Sequence, residues 1–320
     1  MAALQARVRA GLERVEAALA EAVASADPFI QEAAGYLVRA GGKRFRPTLL
    51  LVCGHLGDPD EPRLIGASVA IELTHLSTLY HDDVMDEAEV RRGARSANAR
   101  YDNKVAILTG DYLFARASGV TADLGTEPTR VLARAIGRVV QGEIHEVRGA
   151  LPGEDPVQHY LGVLADKTGA LIAAACRLGA WLAGAPVAEV EALTEYGERV
   201  GVAFQLGDDL LDITTETEVA GKEPGADLRA GLRTLPALYL LRKGGRQAKR
   251  LSRILEGKRD DDEAIAEALA LLRGSPALAA ARAAAQAEVD RAKAALAALP
   301  TGAPRLALEA VADQVFDRQV

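Results

Sequence analysis

The chain has 320 residues, 49% of them hydrophobic, and a net charge of −7 with a pI near 5.4. That length allows one large domain or two ordinary ones, and the acidic balance argues against a nucleic-acid partner, which leaves a basic footprint. Arg7, Arg9, Glu13 and Arg14 break up the first apolar stretch and no later run reaches bilayer length, so neither a signal peptide nor a transmembrane segment is expected and a cytoplasmic protein is the default.

Aromatic residues make up only 4%, while Ala and Leu abound, which favours helices packed through small side chains. Leu4, Val8, Leu12, Val15, Leu19 and Val23 recur at steps of four and three, the stripe of an amphipathic helix. Pro28 opens a second helix that runs to Gly41-Gly42, and Pro47 suits the first turn of a third. Glu61-Pro62 opens a helix expected to end near Arg91-Arg92-Gly93. Further helices are predicted over 104–124, 128–148, 156–165, 168–183 and 187–214, with 215–233 as the longest irregular segment. Beyond it the pattern predicts 235–243, 246–256, 262–273, 276–298 and 304–318, the Ala-rich stretch 277–298 being an outer helix. No alternation is sustained and no Asn-Gly or Asp-Gly turn joins apolar runs. The expectation is all-α: a single domain over 1–320, many helices around a central cavity. Cys53 and Cys176 lie far apart in apolar stretches and read as buried free thiols, with no disulfide framework.

Two copies of one acidic pattern carry the chemistry. Asp82-Asp83-Val84-Met85-Asp86 and Asp208-Asp209-Leu210-Leu211-Asp212 are both DDxxD. On a helix, Asp82 with Asp86 and Asp208 with Asp212 share a face, and such carboxylate pairs repel unless a cation lies between them. Hard oxygen donors suit Mg²⁺ completed by waters and phosphate oxygens, so the pair of clusters reads as a diphosphate site. Solvated acidic faces do not usually adjoin residues such as Leu206, Leu210, Leu211 and Ile213. Asp260-Asp261-Asp262 is the contrast, since it precedes Glu263 at a helix start and reads as capping.

Counter-charges for a doubly phosphorylated substrate set are spread along the chain. Lys43, Arg44 and Arg46 sit on a glycine-flanked loop, Arg91 and Arg92 follow the first cluster, Lys167 stands at a helix junction, and Lys222 lies in a glycine-rich loop. His75 is seven residues, two turns, before Asp82 and can donate a hydrogen bond to a phosphate.

The stretches GGKRFRP (41–47), IELTHLSTLYHDDVMDEAEVRRG (71–93), GDYLF (110–114), KTG (167–169), FQLGDDLLD (204–212) and GKEPGADLRAGLRTLP (221–236) come in one order. In this combination the chain resembles the trans-polyprenyl diphosphate synthases of the polyprenyl synthetase family, from the second helix to about residue 236. The resemblance implies a head-to-tail prenyltransferase that joins isopentenyl diphosphate to an allylic diphosphate, with three Mg²⁺ ions and a homodimer. It implies that Asp82, Asp86 and Asp208 ligate the metal, with Asp83 and Asp212 in or beside that shell and Asp209 close by. Arg91, Lys167 and Lys222 would hold the allylic diphosphate, while Lys43, Arg46, His75 and Arg92 would hold isopentenyl diphosphate. Thr168 and Gln205 would line the place where the allylic cation forms.

Three positions depart from the family pattern: Leu232 for a common Lys, Gly169 for a usual Ala, and Glu146 for a frequent Gln. A terpene cyclase or head-to-head synthase would lack the second basic pocket, and a non-catalytic partner subunit would carry degenerate aspartate motifs. Product length is expected from the first aspartate helix, where Thr78, Ser77 and Thr74 lie four, five and eight residues before Asp82. In this family bulky aromatics near those positions resemble a floor. Small side chains there leave a tunnel open for about 11 Å, two turns of helix, so a product longer than about twenty carbons is expected, about thirty to fifty, with Ile71 or Phe114 as candidates for a lower floor.

Overall fold

The structure is a computed structural model that describes residues 1–215, 224–257 and 261–317. These fall into two compact units, Met1–Arg138 with Ala170–Gly197 and Ala295–Glu309, and Val139–Gly169 with Glu198–Ala294 and Ala310–Val320. The helices in order are α1 (Ala2–Ala22), α2 (Pro28–Arg39), α3 (Phe45–Gly54) and α4 (Arg63–Met85). Strands β1 (Val90–Arg91) and β2 (Ala94–Arg95) follow, then α5 (Ala97–Tyr101), α6 (Asn103–Leu124), α7 (Thr126–Arg148) and α8 (Pro156–Leu164). A π-helical turn over Ala165–Gly169 leads into α9 (Ala170–Leu182) and α10 (Val187–Thr214). The remainder is α11 (Ala226–Ala230), α12 (Leu235–Lys243), α13 (Gly245–Leu255), α14 (Asp262–Arg273), α15 (Pro276–Ala295) and α16 (Ala303–Asp317). The fold is all-α, as the periodicity predicts.

In the first unit α4 is the central helix, packed against α1, α3, α6 and α9. Its burial extends around the helix, from Leu64 and Ala67 to Leu76 and Tyr80. The Tyr80 hydroxyl donates to the Ala33 carbonyl at 2.5 Å and accepts from Leu37 N at 3.3 Å, tying α4 to α2. The start of α2 follows its sequence: Asp27 accepts from Phe29 N at 2.8 Å and Ile30 N at 3.2 Å, and Pro28 occupies the first turn. Where α9 crosses α3, a Cβ on Gly179 would lie 2.9 Å from the Leu50 carbonyl carbon, so only glycine permits that approach.

The first aspartate helix ends at Met85, earlier than the expected 91–93. The stop is a Schellman arrangement without glycine: Glu87 takes φ +49°, Glu87 N bonds Val84 O at 3.4 Å, and Ala88 N bonds Asp83 O at 3.0 Å. The chain then forms a small antiparallel ladder that the sequence did not announce, pairing Val90 with Arg95 and Arg91 with Ala94. Its turn is Arg92-Gly93, at φ +54° and +76°. A type I′ hairpin requires positive φ at both positions, and arginine fills the place where asparagine is usual.

In the second unit one apolar cluster joins Ile213 of α10 to Leu228, Leu240, Leu251, Ile265, Leu269 and Leu272. A second joins Val157 and Leu164 of α8 to Val202, Leu206 and Leu210 of α10 and to Ala281 and Ala285 of α15. The Ala-rich stretch is helical, with Ala277, Ala281, Ala285, Val289 and Ala292 buried as one stripe. Asp261 caps α14 by accepting from Ala264 N at 3.1 Å, as the acidic run there predicts, while Asp260 lies outside the described residues. Of the span 215–233, residues 216–223 lie outside the described residues, and in the remainder α11 occupies Ala226–Ala230 where an irregular segment is expected. Among the described residues no single helix is long and apolar enough to cross a membrane.

Candidate functional site

The first DDxxD divides into two roles at the end of α4. Asp82 is half-buried and Asp86 exposed, with Asp86 N bonded to Asp82 O at 2.8 Å, so one helical turn relates them. Asp83 points the other way and is fully buried. Its two oxygens accept from Arg91 Nε at 2.6 Å and from Ala97 N at 2.9 Å, so one carboxylate anchors β1 and the start of α5. Arg91 is thereby held in place.

The basic loop also divides. Arg44, at φ +44°, is buried, and its guanidinium bonds Glu16 at 2.6 Å, Glu72 at 2.9 Å and the Val38 carbonyl at 3.0 Å. It is a structural cation. Lys43 is exposed. Arg46 is half-buried, and its Nε is buried with no hydrogen-bond partner among the described residues. Burial and the charge of Arg92 push its pKa down, against the pull of Glu72 and Asp82. Arg92 donates to the Leu37 carbonyl at 3.3 Å and to that of Gly41, covering carbonyls that the end of α2 leaves open. His75 is half-buried, and burial followed by Arg46, Arg92, Arg91 and Arg44 holds its pKa well below 6.5. The imidazole is therefore neutral, with four arginines near enough to act on it.

Thr74 and Ser77 are buried and Thr78 half-buried on α4. The hydroxyls of Thr74 and Thr78 bond the Ala70 and His75 carbonyls at 2.8 Å. Ser77 and Thr74 lie on the helical stripe of His81 and Gly66. His81 Nε2 is 3.2 Å from the Ile107 carbonyl, and a Cβ on Gly66 would be 3.1 Å from Leu124. That stripe runs along α6. Ile71 is fully buried, whereas Phe114 is exposed.

In the second unit Asp208 is exposed and Asp209 buried. Asp209 accepts from the Tyr160 hydroxyl and from Gln205 Nε2 at 3.2 Å, and Gln205 Oε1 accepts from Thr168 Oγ1 at 3.3 Å. This chain fixes which end of the Gln205 amide faces Thr168. Burial lifts the Asp209 carboxyl to about 6, aided by Asp208 and Asp212 and opposed by the bonds from Tyr160 and Gln205. Asp212 is half-buried and accepts from Ala226 N at 3.0 Å and Asp227 N at 3.2 Å, bracing α11. Lys167 lies on the π-helical turn with its ammonium 2.9 Å from Glu143 and 2.5 Å from Glu146. Burial lowers its pKa, but the two carboxylates more than offset that and keep it charged. Lys222 lies outside the described residues.

Sequence reasoning singles out Lys43, Arg46, His75, Arg91 and Arg92, which lie in the first unit, and Lys167, Thr168, Gln205 and Asp208, which lie in the second. It missed Tyr160, the Glu143–Lys167–Glu146 clamp and the structural role of Arg44. Only Glu143 and Glu146 left a trace, three residues apart on one helix face.

A family model for polyprenyl synthetase matches residues 27–272. The chain is 45% identical over 318 residues to nonaprenyl diphosphate synthase of Mycobacterium tuberculosis, covering 99% of this chain and 95% of that protein. It superposes on decaprenyl diphosphate synthase from Rhodobacter capsulatus with a TM-score of 0.92 at 35% identity, covering 99% and 98% of the two chains. Geranylgeranyl pyrophosphate synthase from Corynebacterium glutamicum, complexed with calcium and isoprenyl diphosphate, gives a TM-score of 0.89 at 42% identity over 99% and 97%. The chain therefore belongs to the polyprenyl synthetase family, as an all-helical prenyl-transferring polyprenyl diphosphate synthase.

Proposed function

We propose that the chain elongates an allylic diphosphate with isopentenyl diphosphate, head to tail, to a product longer than about twenty carbons. The observation that carries the substrate assignment is the corner of Arg46, Arg92 and His75: a buried guanidinium nitrogen without a partner beside a neutral imidazole and further arginines. Buried donors lacking partners are costly, and an anionic diphosphate oxygen answers them. Isopentenyl diphosphate occupies this corner, held by Lys43, Arg46, Arg92 and a hydrogen bond from His75. Arg91, Lys167 and Lys222 contact the allylic diphosphate.

Asp82, Asp86 and Asp208 suit magnesium as hard oxygen donors. Ions held there would draw further ligands from water and diphosphate oxygens. When bound, magnesium, as three ions, supplies charge stabilisation for the departing pyrophosphate. Arg91 and Lys167 share that task from fixed positions, which is electrostatic preorganisation. Gln205 Oε1 and the Thr168 hydroxyl present oxygen dipoles to the allylic cation. The isopentenyl double bond attacks that cation, oriented by its own basic corner, and loss of a proton leaves an allylic diphosphate one isoprene longer. Asp212 and Asp209 steady the second cluster through α11 and Gln205.

Product length rests on Ser77, Thr78 and Thr74. Small side chains along the stripe facing α6 leave about two turns of helix without a bulky floor, room for about thirty to fifty carbons. The nonaprenyl and decaprenyl relatives support the long product. A second reading, a product of about twenty carbons, draws on the geranylgeranyl relative. The protein acts as one catalytic domain, as a homodimer and in the cytoplasm; exposed Ile107 and Leu108 on α6 support a second copy on that face. The test is incubation with Mg²⁺, isopentenyl diphosphate and each allylic primer from five to twenty carbons, with products resolved by length. No condensation with any primer refutes the activity, and a product that stops at twenty carbons refutes the length.

A further inference from the structure

Glu143 and Glu146 lie three residues apart on α7, and both carboxylates reach the Lys167 ammonium, at 2.9 and 2.5 Å. The backbone is shaped for this: a Cβ on Gly142 would lie 2.8 Å from Lys167 Cγ and 2.9 Å from Lys167 N, so glycine alone lets α7 come so near the π-helical turn. One ammonium faces two carboxylates. These bonds take two of the ammonium's three N–H donors, so a diphosphate that takes Lys167 competes with both carboxylates, of which Glu146 makes the shorter bond.

We propose that Glu146 is a positioning residue that competes with the diphosphate for Lys167. It holds the ammonium between turnovers and reclaims it as pyrophosphate leaves. The inference rests on the assignment of Lys167 to the allylic diphosphate. Each cycle breaks one carbon–oxygen bond and forms one carbon–carbon bond, and the pyrophosphate released occupies the place that the lengthened chain's own diphosphate needs next. A resident carboxylate speeds that exchange, because it replaces the lost anion without moving a proton. A neutral amide at 146 offers no such charge.

The experiment measures pyrophosphate inhibition and the KM of both substrates, with Mg²⁺, for the wild type, Glu146→Gln, Lys167→Ala and the double variant. Glu146→Gln should lower the pyrophosphate inhibition constant and the allylic KM about tenfold, the effect of one charge-assisted hydrogen bond, and leave the isopentenyl diphosphate KM unchanged. In the Lys167→Ala background the same change should do nothing. Glu146→Ala serves as a second variant, since Glu143 still holds Lys167 there. An unchanged inhibition constant in both variants, or an equal shift without Lys167, overturns the proposal. If Lys167→Ala by itself leaves the allylic KM at the wild-type value, the Lys167 assignment fails instead and takes this inference with it.

Discussion

Arg46→Met should make the free protein more stable and the enzyme worse. Arg46 Nε is buried without a partner, and a buried donor left in that state costs about 1–3 kcal/mol. Glu72, whose charge pulls on Arg46, already bonds Arg44 at 2.9 Å. Methionine keeps most of the aliphatic stem and fills irregular space without a polar group. The variant should therefore gain about 1 kcal/mol, which raises Tm by about 2 °C in a chain of this size. The same change removes a charged hydrogen bond to isopentenyl diphosphate, worth about 1.5–3 kcal/mol, and should raise its KM ten- to a hundredfold, with the allylic KM nearly constant. Differential scanning fluorimetry with and without isopentenyl diphosphate separates the two effects: the variant should melt higher alone, and substrate should raise its Tm less than in the wild type. A variant that melts below the wild type and keeps its isopentenyl diphosphate KM would refute the reasoning.

Asp82→Ala, Asp86→Ala and Asp208→Ala should each abolish most turnover with helical content intact by circular dichroism, and chelation should reproduce the loss reversibly; near-normal rates in all three would sink the metal assignment. Ser77→Phe should shorten the product to about fifteen to twenty carbons, since a benzyl group on the α4 stripe overpacks by about 1–3 kcal/mol against a longer tail; a folded variant with the wild-type product distribution would place the floor elsewhere. His75 is neutral when folded, with its pKa well below 6.5, whereas in the unfolded chain it titrates near the ordinary value. Its contribution is thus fully present above pH 6.5 and is lost as pH falls below it, at about 1.4 kcal/mol per unit until the folded imidazole itself protonates. His75→Gln should remove that part of the slope, and superimposable pH–stability curves for the two proteins would contradict it.

Most of the helices were legible because their signals are local. The predicted ends of α10, α12 and α14 coincide with those observed, each resting on an apolar period closed by Pro, Gly, Thr or Asp. The end of α4 was not legible, because its left-handed stop residue is Glu87 and its hairpin turn is Arg92-Gly93. At Arg92 tertiary bonds to the Leu37 and Gly41 carbonyls hold a side-chain-bearing residue where asparagine would have advertised the turn, and at Glu87 the helix-end backbone bonds accompany one where glycine is usual. The site shows the same division. Both aspartate clusters can be read from spacing alone, but nothing local distinguishes Arg44, spent on Glu16 and Glu72, from Arg46, which keeps an unpaired nitrogen. Partners 28 residues apart for Arg44, or 49 apart for Tyr160 and Asp209, follow from packing and leave no periodic trace.

The bond from Ala97 N to Asp83 turns a single amide into a clock. A helix of five residues is too short to protect its own amides, so α5 alone would exchange its protons with water almost freely. The Ala97 proton, however, is given to a carboxylate with no exposed surface that also holds Arg91. Deuterium can reach it only when that shared anchor lets go, an opening that also frees the strand bearing Arg91 and the turn bearing Arg92. The exchange rate at Ala97 therefore counts how often the segment with both arginines comes loose from the helix that carries the first aspartate cluster.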